Sequence, residues 1–424
     1  MAMDPSAIVL IVFLSVYACF VFLPERRTAA VLAGAFIVIA TRSISLHQAF
    51  FAVNWNVMGI FAGTLVLADI FMASRVPAYL AEIIVDKARN TCWAILFICL
   101  MTGLISAFVE NVATVLIVAP VALALSKKLN INPANMMISI AISSNLQGAA
   151  TLIGDPPSML LAGFCNMDFT DFFFYKGRPG IFFAVEIAAL VSMFVLYLFF
   201  RKYRSKQALI PVEKVKSWIP SVFLLSLIAL LAVSSFFDTG FSYLAGIICA
   251  VFGVIAALWK RFADRSSILE GLRKLDWDTA LFLIGVFILV GAFTATGWID
   301  VIAGFLSETV ADNIFAGYTA IVFLSVFVSA FVDNVPFLAA MLPVAVSMSA
   351  KLNMEPTIFL FGLLVGASIG GNITPIGASA NIVACSLLKK EGHNVGFLKF
   401  ARIGLPFTMA AVLAAYLFIW FVWR

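Results

Sequence analysis

The chain has 424 residues, of which 63% are apolar and only 12% are charged, and its mean hydropathy is +1.09. Soluble proteins keep about a quarter of their residues charged, so this composition indicates a polytopic α-helical membrane protein. The net charge of +5 is no sign of nucleic-acid binding, and six scattered cysteines and two distant histidines favour neither a disulfide framework nor a metal site.

Ten apolar runs have a length suited to a membrane span, which takes about 20 residues in a helix. In chain order they lie near 6–23, 28–45, 57–73, 134–164, 180–200, 217–236, 242–259, 279–296, 357–388 and 403–422. Two further runs, 92–126 and 313–350, are each interrupted at their centre by an acid followed by asparagine. The pattern predicts an all-α polytopic membrane protein with about ten transmembrane helices, two re-entrant hairpins and two broken helices.

The hairpins are predicted at 92–128 and 313–351, where Glu110-Asn111 and Asp333-Asn334 stand inside apolar sequence. A charge at bilayer depth costs several kcal/mol, so such residues usually face a cavity, a partner or a bound ion. The alternative is a surface turn between two full spans. Because limbs of about 15 to 18 residues are short for full spans, we expect hairpins whose tips meet near the midplane.

The broken helices are predicted at 134–164 and 357–388, where "NLQGAATLIGDPPSML" and "GASIGGNITPIGASANIV" interrupt apolar helix. Prolines remove amide donors, and freed backbone groups at this depth need protein or a polar cavity to satisfy them. Asp155 is a third acid of this constellation and has Ala378 in its place in the second half. Asp69 and Glu186 also lie in apolar runs, and we expect both to be structural.

The two halves of the sequence are related. A forward shift of 223 places residues 106–133 on 329–356 with 14 of 28 positions identical. A shift of 222 places "NWN", 54–56, on "DWD", 276–278. The chain is therefore divided into repeat 1 at 1–200, a basic cytoplasmic linker at 201–216 and repeat 2 at 217–424.

Each repeat has an odd number of spans, so the second repeat has to be inverted in the membrane. Placing both termini outside assigns 22 of the 27 Lys and Arg residues to the inner side, in agreement with the positive-inside rule. Inverted repeats are typical of secondary transporters with binding sites near the midplane. We expect an integral protein of a bacterial or archaeal cytoplasmic membrane.

The sequence contains no convincing enzyme motif. "GASIG", 366–370, matches G-x-S-x-G but falls in a predicted membrane helix without a histidine partner. The Gly-x-Gly-Asp signature of intramembrane aspartyl proteases is missing at Asp155, and no phosphate-binding loop is present. We expect no enzyme activity and no cofactor other than the coupling ions Na⁺ or H⁺.

The stretches "ENVATVLIVAPVA", "GDPPSMLLAG", "DNVPFLAAMLP" and "GGNITPIGASANIVA" resemble the ion transporter superfamily, in particular its arsenite-pump, NhaD-type sodium–proton antiporter and P-protein branch. The resemblance covers essentially the whole chain. It implies a scaffold and a moving transport domain, usually in a homodimer, working as an elevator.

The resemblance also implies the residues of the site. Carried over by position, the predicted substrate and ion ligands are Glu110, Asn111, Thr151, Asp155, Ser158, Asp333, Asn334, Asn372, Thr374, Ser379 and Asn381. Na⁺ is expected at Glu110, Asn111, Asp333 and Asn334. Dicarboxylate symporters carry serine where this chain has Glu110 and Asp333, so the two carboxylates should repel a dianion and favour H⁺ or Na⁺. Ser158 departs from the asparagine that is usual in P-protein sequences.

The function that these features predict is ion-coupled secondary transport, either Na⁺/H⁺ antiport or proton-coupled movement of a small inorganic solute such as arsenite. A Na⁺-coupled transporter of organic anions and an anion channel on the same scaffold remain alternatives. The expected partners are a small ion or solute, membrane lipid and a second copy of the chain, with no nucleic acid.

Overall fold

The computed structural model describes residues 4–128, 131–205, 213–238, 240–264, 273, 276–310 and 313–424. Parts of the predicted linker, 206–212, and of the basic segment that precedes Asp276 lie outside these residues. Nineteen α-helices make up the described part, and the one small sheet there pairs β1 (Phe174–Tyr175) with β2 (Arg178–Pro179). The predicted all-α membrane fold is confirmed.

The first half contains ten α-helices. They are α1 (Pro5–Phe22), α2 (Arg27–Ala40), α3 (Leu46–Ala52), α4 (Trp55–Ala73), α5 (Val76–Lys87), α6 (Thr91–Ser106), α7 (Asn111–Lys128), α8 (Ala134–Gly148), α9 (Pro156–Cys165) and α10 (Ile181–Phe200). Short 3-10 helices lie at Pro24–Arg26 and Thr170–Phe172.

Nine α-helices follow in the second half. They are α11 (Ile219–Ser234), α12 (Leu244–Asp264), α13 (Trp277–Ala295), α14 (Trp298–Val310), α15 (Ile314–Ser329), α16 (Asn334–Lys351), α17 (Thr357–Gly370), α18 (Ser379–Lys390) and α19 (Phe397–Trp423). A 3-10 helix at Gly371–Ile373 follows α17.

Eight helices of the described part are long and apolar enough to cross a membrane, namely α1, α4, α7, α10, α12, α13, α16 and α19. Shorter apolar helices include α2, α6, α11 and α15, each of 14 to 16 residues. Spans therefore vary more in length than the apolar runs of the sequence indicate. Sequence analysis also missed α3, α5 and α14, which are short or partly polar.

Helix starts recur at matched positions of the two halves. Asn54 accepts a hydrogen bond from the amide of Val57 at 3.0 Å, and Asp276 accepts one from Thr279 at 3.1 Å. These are N-caps, which satisfy amides that a helix start leaves unpaired. The alignment of "NWN" with "DWD" therefore reflects the start of α4 and of α13.

The helices pack in two groups. Helices α1, α2 and α13 pack together, as do α4, α11 and α12, and α4 also contacts α13; we refer to these six as the frame. Helices α6–α10 and α15–α19 form the second group, here called the core. In chain order α5 and α14 connect frame to core, and they pack on α6 and α7 and on α15 and α16 respectively. Frame and core meet where α4 contacts α7 and α9 and α13 contacts α16.

The core is interlocked between the two halves. Helix α9 packs against α16, and α18 packs against α7 and α8. The second half of each broken helix therefore contacts the hairpin of the other repeat. This exchange brings both helix breaks and both hairpin tips to one place.

One close helix crossing sets the geometry of the frame. A Cβ on Gly63 of α4 would lie 2.0 Å from the backbone oxygen of Cys249 on α12, so only glycine permits this approach. Gly63→Ala should therefore force the helices apart and lower the free energy of unfolding by about 1–3 kcal/mol. Thermal unfolding in detergent measures the loss. The control is Gly396→Ala, since a Cβ there meets nothing within 4 Å; equal melting temperatures for both variants would contradict the close crossing.

The inverted arrangement makes a second prediction. Lys127 and Lys351 lie near the C-terminal ends of α7 and α16, and both are exposed. Cysteines introduced there in a cysteine-free background should react with an impermeant thiol reagent from opposite sides of the membrane. Reaction of both from the same side would contradict inversion.

Candidate functional site

Both hairpins have a four-residue tip that ends in an acid. Residues 107–110 join α6 to α7, and 330–333 join α15 to α16. Glu110 accepts a hydrogen bond from the amide of Ala113 at 2.8 Å, and Asp333 accepts one from Val335 at 3.0 Å. Each acid therefore lies at the N-terminus of the helix that follows it, where the helix dipole stabilises negative charge.

Each helix break is fastened to the hairpin tip of its own repeat by a threonine. Thr151 donates a hydrogen bond to the carbonyl oxygen of Ala107, and Thr374 donates one to Ala330 at 2.5 Å. The two contacts are equivalent under the 223-residue shift. A further equivalent pair closes each break, since Ser158 donates to Gly148 O at 3.2 Å and Asn381 donates to Gly371 O at 3.0 Å.

The two breaks are joined to each other by Asn145 of α8. Its amide nitrogen lies 3.0 Å from Asn372 Oδ1 and 3.0 Å from Asn381 Oδ1. Asn372 in turn donates to the carbonyl oxygen of Ile142 at 3.1 Å. This buried network ties the first broken helix to the second. Asn145 lies within the quoted stretch 145–160, but sequence analysis did not select it.

Asp155 lies against both the first tip and the first break. Its Oδ1 accepts hydrogen bonds from the amide of Ser158 at 3.2 Å and from its hydroxyl at 2.9 Å, and its side chain is buried. A Cβ on Gly148 would lie 2.5 Å from Asn111 Oδ1 and 2.9 Å from Asp155 Oδ2. Because residue 148 is glycine, the side chains of Asn111 and Asp155 can both lie against its backbone.

A cavity of about 290 Å³ lies where the tips and breaks meet. Six predicted ligands line it, namely Glu110, Asn111, Asp155, Asp333, Asn334 and Ser379. The other five are fully buried behind the wall and hold the breaks together: Thr151, Ser158, Asn372, Thr374 and Asn381. The structure thus brings all eleven predicted ligands into one region. The five buried residues, however, contact other protein groups rather than the cavity.

Four helix N-termini face this cavity. The first residues of α7, α9, α16 and α18 all contribute to its lining. An acid precedes three of them, whereas α18 follows Ala378 and has no side-chain cap. The exposed Ser379 at the start of α18 therefore faces the cavity beside amides that no carboxylate neutralises.

The frame supplies charged residues that sequence analysis did not assign to the site. Arg27 pairs with Asp333 and lies over the ring of Phe282, and Asp276 lines the cavity beside them. Asp69, expected to be structural, pairs with Lys260 at 2.5 Å and also lines the cavity. Glu186, on α10, is not among the lining residues.

Glu110 and Asp155 have no basic side chain within 4.0 Å among the described residues. The described residues also form no group of three or more His, Cys, Asp or Glu side chains that could hold a metal ion. A cation bound here would thus need amide and backbone oxygens in addition to one or two carboxylates.

The charged frame residues of the cavity lie at or near helix ends. Arg27 and Asp276 lie at helix starts, and Asp69 and Met72 at the end of α4, which are ends that the charge pattern assigns to the inner side. Asn145 also lines the cavity, and its partners Asn372 and Asn381 lie fully buried behind it with the two threonines.

A sequence profile described as citrate transporter, CitMHS, matches residues 17–359 and 341–424. An uncharacterized transporter of Mycobacterium bovis is 27% identical over 424 residues, and the match covers 98% of each chain. The P protein of Mus musculus is 24% identical, with 92% of this chain and 57% of that protein covered.

The YdaH transporter of Alcanivorax borkumensis shares the fold. It superimposes with a TM-score of 0.61 at 13% identity, and the match covers 98% of both chains. Since the profile matches nearly the whole sequence, this chain belongs to the citrate transporter family and is a membrane transporter rather than an enzyme.

Proposed function

We propose that the chain is an ion-coupled secondary active transporter in which Glu110 and Asp155 bind a coupling cation in competition with protons. The observation that supports this most directly is that both acids face one cavity and have no basic partner among the described residues. A carboxylate can hold a proton or a metal cation but not easily both. That competition is sufficient to couple the movement of one ion to the other.

The cation would be Na⁺ or H⁺, with Asn111 and Asn334 as neutral oxygen ligands beside the acids. Each asparagine begins a hairpin helix next to its acid, and both line the cavity. Glu110 lies within electrostatic range of Asp155 and Asp276, so bound positive charge relieves repulsion among the three. Na⁺/H⁺ antiport and proton-coupled transport of a small inorganic solute such as arsenite both fit this charge arrangement.

Alternating access is the mechanism that we propose, because the charged frame residues of the cavity lie at helix ends on the predicted inner side. A channel needs a path open to both sides, whereas a transporter exposes its site to one side at a time. The division into frame and core, joined in sequence by α5 and α14, supports an elevator movement of the core along the frame. We further propose that the chain belongs beside the arsenite-pump, NhaD-type and P-protein branch, a proposal that the similarity to the mouse P protein supports.

Anion transport is the second candidate. Two observations favour it: Arg27 lines the cavity, and the uncapped N-terminus of α18 presents Ser379 and free amides there. The family description, citrate transporter, points the same way. A Na⁺-coupled organic anion would then bind between Arg27 and α18, and a channel would differ in giving flux that neither saturates nor needs a counter-ion.

The remaining proposals concern assembly and membrane. We place the protein in a bacterial or archaeal cytoplasmic membrane as a homodimer surrounded by lipid, with both termini outside. The distribution of Lys and Arg supports this orientation. The cysteine labelling described above tests the inversion of the two repeats on which it depends.

The proposed coupling predicts the behaviour of two neutral variants. Glu110→Gln and Asp155→Asn keep an oxygen that can cap the following helix but cannot titrate, so each should fold. Each should lose pH-dependent transport by about 10–100-fold. Decay of a pH gradient in proteoliposomes, screened with Na⁺, Li⁺, arsenite and dicarboxylates, measures the flux.

Glu355→Gln is the matched control, because Glu355 is a largely exposed acid that pairs with Lys176 at the surface. It should transport as the unmodified protein does. If instead both cavity variants keep unmodified rates and pH dependence, the carboxylates are structural, and the anion-transport proposal takes first place.

A further inference from the structure

Arg27 is the one basic side chain among the described residues that line the cavity. It is the first residue of α2, its guanidinium contacts Asp333 Oδ2, and it lies 5.1 Å from the centre of the Phe282 ring. About a quarter of each partner's side chain is exposed, 25% for Arg27 and 23% for Asp333. The pair is thus accessible from the cavity rather than enclosed in the protein.

The two oxygens of Asp333 have different partners. Oδ1 accepts the amide hydrogen of Val335 at the start of α16, while Oδ2 is taken by Arg27. Oδ2 is therefore the oxygen that a bound cation would use. Arg27 occupies that position with a positive charge that belongs to the protein.

This ion pair crosses from frame to core. Helix α2 packs on α1 and α13, and Thr28 donates a hydrogen bond to Asp278 of α13 at 2.9 Å, so Arg27 is anchored to the frame. Asp333 caps the start of α16, which packs on α17 and α9 in the core. A second hydrogen bond joins frame and core near this tip, from the Tyr17 hydroxyl to Pro336 O at 2.5 Å.

The two hairpin tips differ in this respect. Glu110 at the first tip has no basic partner within 4.0 Å among the described residues, whereas Asp333 at the equivalent position has Arg27. The 223-residue repeat therefore places one free and one neutralised carboxylate at equivalent sites. A cation can reach Glu110 directly, but it can reach Asp333 Oδ2 only if Arg27 moves away.

We infer that Arg27 acts as a tethered competitor of the coupling cation. With Asp333 free of cation, Arg27 binds Oδ2 and holds the second hairpin tip to the frame; cation binding at Asp333 displaces the guanidinium and releases the tip. The inference rests on the proposed function in taking this cavity to bind the coupling cation, and it adds Asp333 as a further ligand. The competition between Arg27 and the cation makes release of the core depend on an occupied cation site. The core therefore does not move across the membrane while Asp333 is charged and unpaired.

The test is cation binding to the purified protein, which needs no transport. Melting temperature is followed against NaCl or LiCl, with N-methylglucamine chloride keeping ionic strength constant. Arg27→Gln removes the competitor, so apparent cation affinity should rise by about tenfold, as expected if about nine tenths of the unmodified molecules hold the pair. Arg27→Lys, which keeps the charge without the planar fork, should give an intermediate affinity.

Two further variants isolate the mechanism. In an Asp333→Asn background, Arg27→Gln should have no additional effect on cation affinity, because the ligand that the two cations share is gone. Lys176→Gln breaks the exposed pair with Glu355, which lies outside the cavity, and should leave the affinity unchanged. In proteoliposomes, Arg27→Gln should also make flux less dependent on the cation, since the core no longer needs the cation for release.

Unchanged or weaker cation binding in Arg27→Gln overturns the inference, as does an absence of cation binding in every variant or an equal effect of Lys176→Gln. Misfolding of Arg27→Gln leaves the decision to Arg27→Lys. The proposed function is judged separately, by whether the unmodified protein shows cation-dependent flux. A protein that transports while Arg27→Gln binds cations normally would keep the function and lose the tethered competitor.

Discussion

Backbone hydrogen bonding inside the bilayer is the constraint on which the other features of this structure depend. A helix that stops at membrane depth frees amides and carbonyls, and each costs several kcal/mol if it stays unsatisfied. Here the interrupted segments satisfy one another, because Thr151 and Thr374 bind the carbonyls of the two tips. Holding a break in place thus also holds a hairpin tip, and four interruptions become one rigid centre.

That centre gathers helix N-termini, and their electrostatics explain why acids stand there. Each N-terminus carries about half a positive charge. Glu110, Asp155 and Asp333 accept amide hydrogen bonds at three of them. Each carboxylate therefore uses part of its hydrogen-bond acceptor capacity to cap a helix. The remaining capacity of Glu110 and Asp155 lies at the cavity, whereas that of Asp333 is used by Arg27. The same carboxylates can therefore stabilise helix starts and exchange cations, and no separate structural framework for the ion site is needed.

Much of this architecture could be predicted from the sequence, because glycine, proline and a repeated acid–asparagine pair stand out against apolar residues. The interruptions fall between residues 107 and 110, 149 and 155, and at the matching places of the second half. Contacts between individual side chains could be predicted less well from the sequence. Thr374 and Asn381 were selected as ligands, yet they bind backbone carbonyls, since spacing alone does not show which oxygen a hydroxyl or amide reaches.

Arg27 illustrates the limit more sharply. In the sequence it is one of many basic residues on the predicted inner side, and its partner Asp333 lies 306 positions away. Nothing local marks the contact, because it arises only after frame and core have packed. Asp276 is similar: the repeat alignment located it, but its place in the cavity depends on how α13 meets α16.

Asn145 has a consequence for the energetics of a transport cycle. In an ideal inverted repeat, the two halves exchange conformations between the inward-facing and outward-facing states. The two states are then related by a two-fold rotation and have equal free energy. Asn145 bridges to Asn372 and Asn381, but the position 223 residues further on is Ser368, which is too short to make the reciprocal bridge. In the proposed alternating-access cycle, the two facing states would therefore be unequal in free energy. The solute concentration that gives half-maximal transport would then differ between the two faces of the membrane. The maximal rates in the two directions would differ in compensation, because a carrier does not change the equilibrium distribution of its solute.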